Sequence, residues 1–190
     1  MQSSERREQI IEVTRGLILE KGLSGVTMAR ISKAVEISQP AIYRHFKNRH
    51  DIILATLNQI SEDFVRLLTP TQTDAIVCLK EMSGTLYDTT LLNPDLARIM
   101  FELICAPPEE NLRDELQERF GLILQQLEGC LQEGIDQGKL IEDMDITLIA
   151  WEIFSLGFTL NFATLLGVGG FLEKPKALTA LNNVLAPVLK

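Results

Sequence analysis

One short run near the N-terminus concentrates the side chains best suited to a polyanion. Ser38, Gln39, Pro40 and Ala41 offer small or amide groups that can approach base edges, and Tyr43, Arg44 and His45 follow and reach outward. Ile42 and Phe46, four apart, turn to the interior. Charge agrees with that chemistry. The 190-residue chain carries a net −8, yet residues 1–50 hold nine basic against five acidic side chains, and the remainder holds nine against twenty-one. An acidic protein with a basic first quarter can hold a polyanion there and repel it elsewhere. A plain three-helix core with a polar face would give the same pattern.

The elements that must position this run are helices. Ile10, Val13, Leu17 and Ile18 line one face of a helix over residues 5–21, which stops at Lys21-Gly22. Thr27 stands as N-cap of a short helix over 28–35 that turns Ile31 and Ala34 or Val35 inward. Ser38 is the next N-cap, with Pro40 in the first turn of a helix over 39–46. Two short helices joined by three residues have the spacing of a helix-turn-helix, whose second helix can enter the major groove. A long helix over 49–68 follows, ended by Thr69-Pro70. Further helices are expected over 73–91, over 94–105 capped by Asn93, over 109–137 after Pro107-Pro108, over 145–166 capped by Asp145, and over 175–188. The expectation is an all-α fold of about nine helices, with one domain over 1–48 and a second over 49–190.

Other chemistries find little support. Cys78, Cys105 and Cys130 form no CxxC pair, so they read as reduced cysteines buried in helices, with neither a disulfide framework nor a metal site. The charged first twenty residues lack the apolar stretch of a signal peptide, and a cytoplasmic location is expected. The uncharged stretch 153–172 approaches the length of a membrane span. Its Ser155, Thr159, Asn161, Thr164 and four glycines fit better a helix buried on nearly all sides, in a core or an oligomer interface. No nucleophile–base pair is visible, and Gly134-x-x-x-Gly138-Lys139 has the wrong spacing for a phosphate loop, so no enzyme and no cofactor are expected. The carboxylates Glu109, Glu110, Asp114, Glu115 and Glu118 read as a solvated helix face.

The segment GLSGVTMARISKAVEISQPAIYRHFKNRHDIILATL carries a resemblance that extends over residues 10–57. Gly22 ending the first helix, Thr27 opening the second, Ile31 and Ala34 inside it, Ser38 capping the third, the YRHF run and the long helix that follows are similar to the DNA-binding domain of the tetracycline-repressor (TetR-like) family of bacterial transcription regulators. The resemblance implies a homodimeric repressor that binds a two-fold operator and is released by a small molecule. It also implies phosphate contacts from Thr27, Tyr43, Lys47 and Arg49, beside base contacts from Ser38 to Ala41 and from Arg44 and His45. Two positions depart from the family pattern. Glu36 replaces the usual turn glycine, so that either the glutamate is left-handed or the turn adjusts, and Arg49 replaces the usual lysine. The last two helices, with Gly157 and Ala163 permitting close approach, are the expected dimer contact. The second domain's apolar set Cys78, Met82, Met100, Phe101, Phe120, Trp151, Phe154, Phe158 and Asn161 offers candidate cavity liners for an apolar or amphipathic effector. Two alternatives stay open: a DNA-binding dimer without an effector, and a helical module that docks a protein partner.

Overall fold

Side-chain caps satisfy the first free amides of α-helices at Thr27 and Asp145, and the helices divide the chain much as the sequence suggests. The computed structural model describes residues 3–68, 73–92 and 94–190, so the stop at Thr69-Pro70 and the cap at Asn93 lie outside the described residues. Among the described residues there are nine α-helices: α1 (Ser3–Lys21), α2 (Met28–Val35), α3 (Gln39–Ile42), α4 (Arg49–Leu68), α5 (Ala75–Leu92), α6 (Pro94–Ile104), α7 (Arg113–Asp136), α8 (Ile146–Leu165) and α9 (Lys174–Leu185). No strand occurs among them beyond an isolated bridge between Leu140 and Leu189. The chain is all-α. It packs as two units, the first formed by residues 1–63 with 98–116 and the second by 64–97 with 117–190.

The first unit is built on α1, which packs against α2 and the 3₁₀ turn Leu23–Gly25. Ile10, Thr14 and Ile18, one turn apart, are buried with Ile11, whereas Val13 and Leu17 are only half-buried. The buried hydroxyl of Thr14 donates to the Ile10 carbonyl at 2.8 Å, which removes the desolvation cost of placing it on that stripe. Ile31 and Val35 of α2 are buried, as are Ile42, Phe46, and Ile52, Ile53 and Leu57 of α4, while Ala34 faces solvent. Thr27 caps α2 by accepting the Arg30 amide at 3.2 Å. At the other end Glu36 adopts φ 58° and ψ 42°, the left-handed conformation its place in the turn demands.

The third helix is shorter than the expected 39–46. Beyond Ile42 the Arg44 amide bonds Ala41 and the His45 amide bonds Ile42, the i→i−3 pattern of a tightening turn. Ser38 occupies the N-cap position but makes no side-chain cap bond.

In the second unit Leu79 and Met82 of α5, Leu127 and Leu131 of α7, Ile149 and Ile153 of α8 and Leu181 and Leu185 of α9 form one core. The seventh helix starts at Arg113 rather than at 109, because Pro108–Glu110 is a 3₁₀ turn closed by a left-handed Asn111 (φ 51°). Asp145 caps α8 by accepting the Leu148 amide at 3.0 Å. Pro187 has no amide to continue α9, which yields to a 3₁₀ turn over Ala186–Val188. By length and composition α8 could cross a membrane. It is not buried on nearly all sides. Ile149, Ala150, Ile153 and Gly157 mark one buried face, and the opposite face is exposed.

Replacing Glu36 by glycine relieves the left-handed strain and offsets part of that gain by a freer unfolded chain, so stability rises by about 0.5–1 kcal/mol. Urea unfolding of Glu36→Gly measures this, and a loss of stability would contradict the role given to the turn.

Candidate nucleic-acid interface and apolar cavity

The helix-turn-helix pair presents most of its candidate groups to solvent. Ser38, Gln39, Pro40, Tyr43, Arg44 and Lys47 are exposed, and Thr27, Ala41 and His45 are half-buried. Ile42 and Phe46 anchor this surface from below, and the Arg7 guanidinium braces it by donating to the His45 carbonyl at 2.9 Å and lying 4.1 Å from the Phe46 ring centroid. The link to α4 is also fixed. The Lys47 amide bonds the Asp51 carboxylate at 3.1 Å and the Asp51 amide bonds Asn48 Oδ1 at 2.8 Å, a reciprocal cap that leaves the Lys47 ammonium exposed.

Arg49 is placed differently from its neighbours. Its Nε donates to the Val26 carbonyl at 2.6 Å, one terminal nitrogen donates to the Leu23 carbonyl at 2.7 Å, and the other meets the Glu110 carboxylate at 2.5 Å. The group lies on protein acceptors, with the Arg49 and Glu110 side chains 28% and 21% exposed. A second carboxylate from the same segment, Glu102, accepts the Leu23 amide at 3.2 Å. It lies so near Gly22 (φ 66°) that a side chain there would come within 2.9 Å of its Oε2. Glu110 is therefore half-buried and paired instead of belonging to a solvated face; the Glu109 side chain lies outside the described residues. No local spacing signals this pairing, because the partners stand 61 residues apart.

The second unit holds a cavity of about 120 Å³ between α5, α7, α8 and α9. Of the sequence candidates, Met82, Phe120, Phe154, Phe158 and Asn161 line it. Tyr87, Ile153 and Leu181 join them without having been singled out, since periodicity marks an inward face but not the gap in it. Met100 and Phe101 fall in the first unit, Cys78 is buried in the second unit without lining the cavity, and Trp151 is half exposed on α8. Phe154 meets Phe120 and Trp151 edge-on, with centroids 5.8 and 5.7 Å apart. The polar lining is largely committed: Tyr87 donates its hydroxyl to the Leu172 carbonyl at 2.6 Å, and Asn161 donates to the Gly157 carbonyl at 2.9 Å. Burial, with Cys78 and Glu133 nearby, pushes the Cys130 thiol up and keeps it protonated. Cys105, contrary to the expectation of buried cysteines, is exposed.

On the exposed side of α8, Leu148, Trp151, Phe158, Phe162 and Leu165 follow one another at three-, seven-, four- and three-residue steps, with Ser155 filling the remaining place in the stripe. That is the spacing of a helix–helix seam.

Comparison with known proteins bears on both units. Residues 10–56 match the model for bacterial regulatory proteins of the tetR family. The chain is 27% identical over 154 residues to a fatty acid metabolism regulator protein of Bacillus subtilis, covering 77% of this chain and 76% of that protein. It is 27% identical over 143 residues to the nucleoid occlusion factor SlmA of Glaesserella parasuis, covering 73% and 71%. Its fold matches a TetR transcription regulator from Haloarcula marismortui with a TM-score of 0.85, at 22% identity over 98% of this chain and all of that one.

Arg49→Lys keeps the charge but cannot reach all three acceptors from one planar fork. Thermal or urea unfolding is expected to show a loss of about 1–3 kcal/mol, and an unchanged midpoint would contradict the guanidinium tie.

Proposed function

Because the chain is a TetR-like transcriptional regulator with its DNA-binding domain at residues 10–56, we propose that it acts as a homodimeric repressor. In this reading the dimer sets two copies of α3 on a two-fold operator and leaves it when a small molecule binds the second unit. The observation that carries the DNA-binding part is the exposed face Ser38, Gln39, Tyr43, Arg44 and Lys47, on a basic quarter of an otherwise acidic chain. The side chains at the start of α3 read base edges, and Lys47, Tyr43 and Thr27 set the register on phosphates.

One short recognition helix makes few base contacts, and a two-fold partner doubles them. The apolar stripe on α8 supplies the surface for that partner, since a second copy carries the same stripe and an isologous contact covers both. The cavity walls of Phe120, Phe154 and Phe158 favour an apolar or amphipathic effector, and no Lys, Arg or His lines them to hold an anion. The helices α4, α6 and α7 each continue from one unit of the chain into the other, so they are the candidate levers for release. An effector that prefers the DNA-incompetent dimer by about 1–3 kcal/mol lowers operator affinity roughly 5- to 150-fold, and operator weakens effector binding equally.

Operator selection followed by fluorescence anisotropy over a salt series tests the reading. Gln39→Ala shifts the preference at one base pair by about 1–3 kcal/mol. Lys47→Ala weakens all duplexes alike and flattens the log–log salt slope by about 1.8 for the two copies. Phe162→Glu, which puts a charge in the α8 stripe, yields a folded monomer by sedimentation and loses operator binding. Unaltered sequence preference in Gln39→Ala, or a Phe162→Glu dimer of full affinity, would overturn the corresponding part.

A further inference from the structure

Arg49 begins α4 two residues after the exposed Lys47, beside the surface that faces DNA in the reading above, yet its charge is already answered within the first unit. Two of its three donor positions hold backbone, at Leu23 and Val26. The third bonds Glu110 at the edge of an open cleft of about 340 Å³ lined by Asn48, Arg49, His50, Glu110 and Asn111. A carboxylate and a phosphodiester present similar oxygens to a guanidinium, and one terminal nitrogen cannot serve both fully. The family resemblance already gives Arg49 a phosphate of the DNA backbone; we propose that Glu110 is the built-in competitor of that contact, filling the place on Arg49 that a phosphodiester takes when the duplex binds. The proposal goes beyond the repressor reading and rests on its DNA-binding part.

The mounting of Glu110 suits an exchangeable occupant. It sits at the end of the 3₁₀ turn Pro108–Glu110, which is closed by local backbone bonds from the Glu110 amide to Pro107 and from the Asn111 amide to Pro108. Arg49, by contrast, stays on the Leu23 and Val26 carbonyls when the carboxylate leaves, so its free nitrogen is already aimed. Glu110 thus acts as a positioning residue through Arg49. It removes one cation per protomer from the DNA contact until phosphate displaces it, and it lowers affinity for every duplex without favouring any sequence. Glu102 of α6, on the same connector, accepts the Leu23 amide, so Glu102 directly and Glu110 through Arg49 act on the segment that leads into α2.

The test is a double-mutant cycle on the full chain, read by anisotropy with a fixed duplex across a salt series and checked by thermal unfolding. Glu110→Gln keeps an acceptor for Arg49 but removes the charge. It is expected to tighten binding about tenfold at 50 mM salt and to leave the log–log slope near the wild-type value, since phosphate reaches Arg49 in both complexes. In an Arg49→Gln background the same change is expected to leave the slope unaltered and the affinity within about twofold, because the guanidinium it acts through is gone. Glu110→Ala repeats the experiment if the glutamine variant unfolds. Unchanged or weaker binding by a folded Glu110 variant overturns the proposal, as does an equal gain in the Arg49→Gln background. Failure of every form, wild type included, to bind any duplex at low salt would instead overturn the DNA-binding reading beneath it.

Discussion

The Arg49 guanidinium is the contact on which the DNA-binding unit turns. It joins the first residue of α4 to the carbonyls of Leu23 and Val26, the latter one residue before the cap of α2. The helices on either side of α3 are thereby tied to each other at their starts. With both flanks fixed, and with Ile42 and Phe46 buried beneath, the four-residue α3 needs little stability of its own to hold one orientation. A half-buried cation without a partner would undo this arrangement, so Glu110 serves the fold as well as the proposed competition. Folding and DNA affinity then make opposite demands on one carboxylate.

The same separation of demands runs through the rest of the molecule. A net charge of −8 makes most of the chain repel a polyanion, while the basic first quarter attracts one, as the proposed DNA contact requires. The second unit answers to apolar chemistry: one side of α8 closes the core at Ile149 and Ile153, and the other exposes Trp151, Phe158 and Phe162. A helix apolar on both sides looks like a membrane span in composition, but its two faces have different tasks here.

Legibility in the sequence followed the range of the interaction. Thr27, Asp145 and the glycine at 22 act within a turn of where they stand, and the bounds of α2 and the starts of α4 and α8 were readable from local signals. At Glu36 the family's usual glycine left two outcomes, a left-handed residue or an adjusted turn, and the chain takes the first. The end of α3 was not readable, since Ile42 and Phe46 keep a helical apolar spacing while the backbone between them tightens to i→i−3 bonds at Arg44 and His45. Arg49 was readable as a cation but not as a paired one, because Glu110 comes from the 3₁₀ turn after α6, 61 residues away in sequence. The cavity followed the same rule: Phe120 and Phe154 face inward by periodicity, but whether they meet or leave a gap depends on how four helices pack.

Hydrogen–deuterium exchange read by mass spectrometry, with and without a duplex at low salt, tests the central claim most directly, because it reports the interface and the release of Glu110 in one experiment. The account predicts slower exchange over residues 27–47, where DNA covers the helix-turn-helix, together with faster exchange over 107–112 as phosphate takes the place of the carboxylate. Slower or unchanged exchange over 107–112 alongside protection of 27–47 would contradict the competition, and an unprotected 27–47 under saturating duplex would contradict the account at its base.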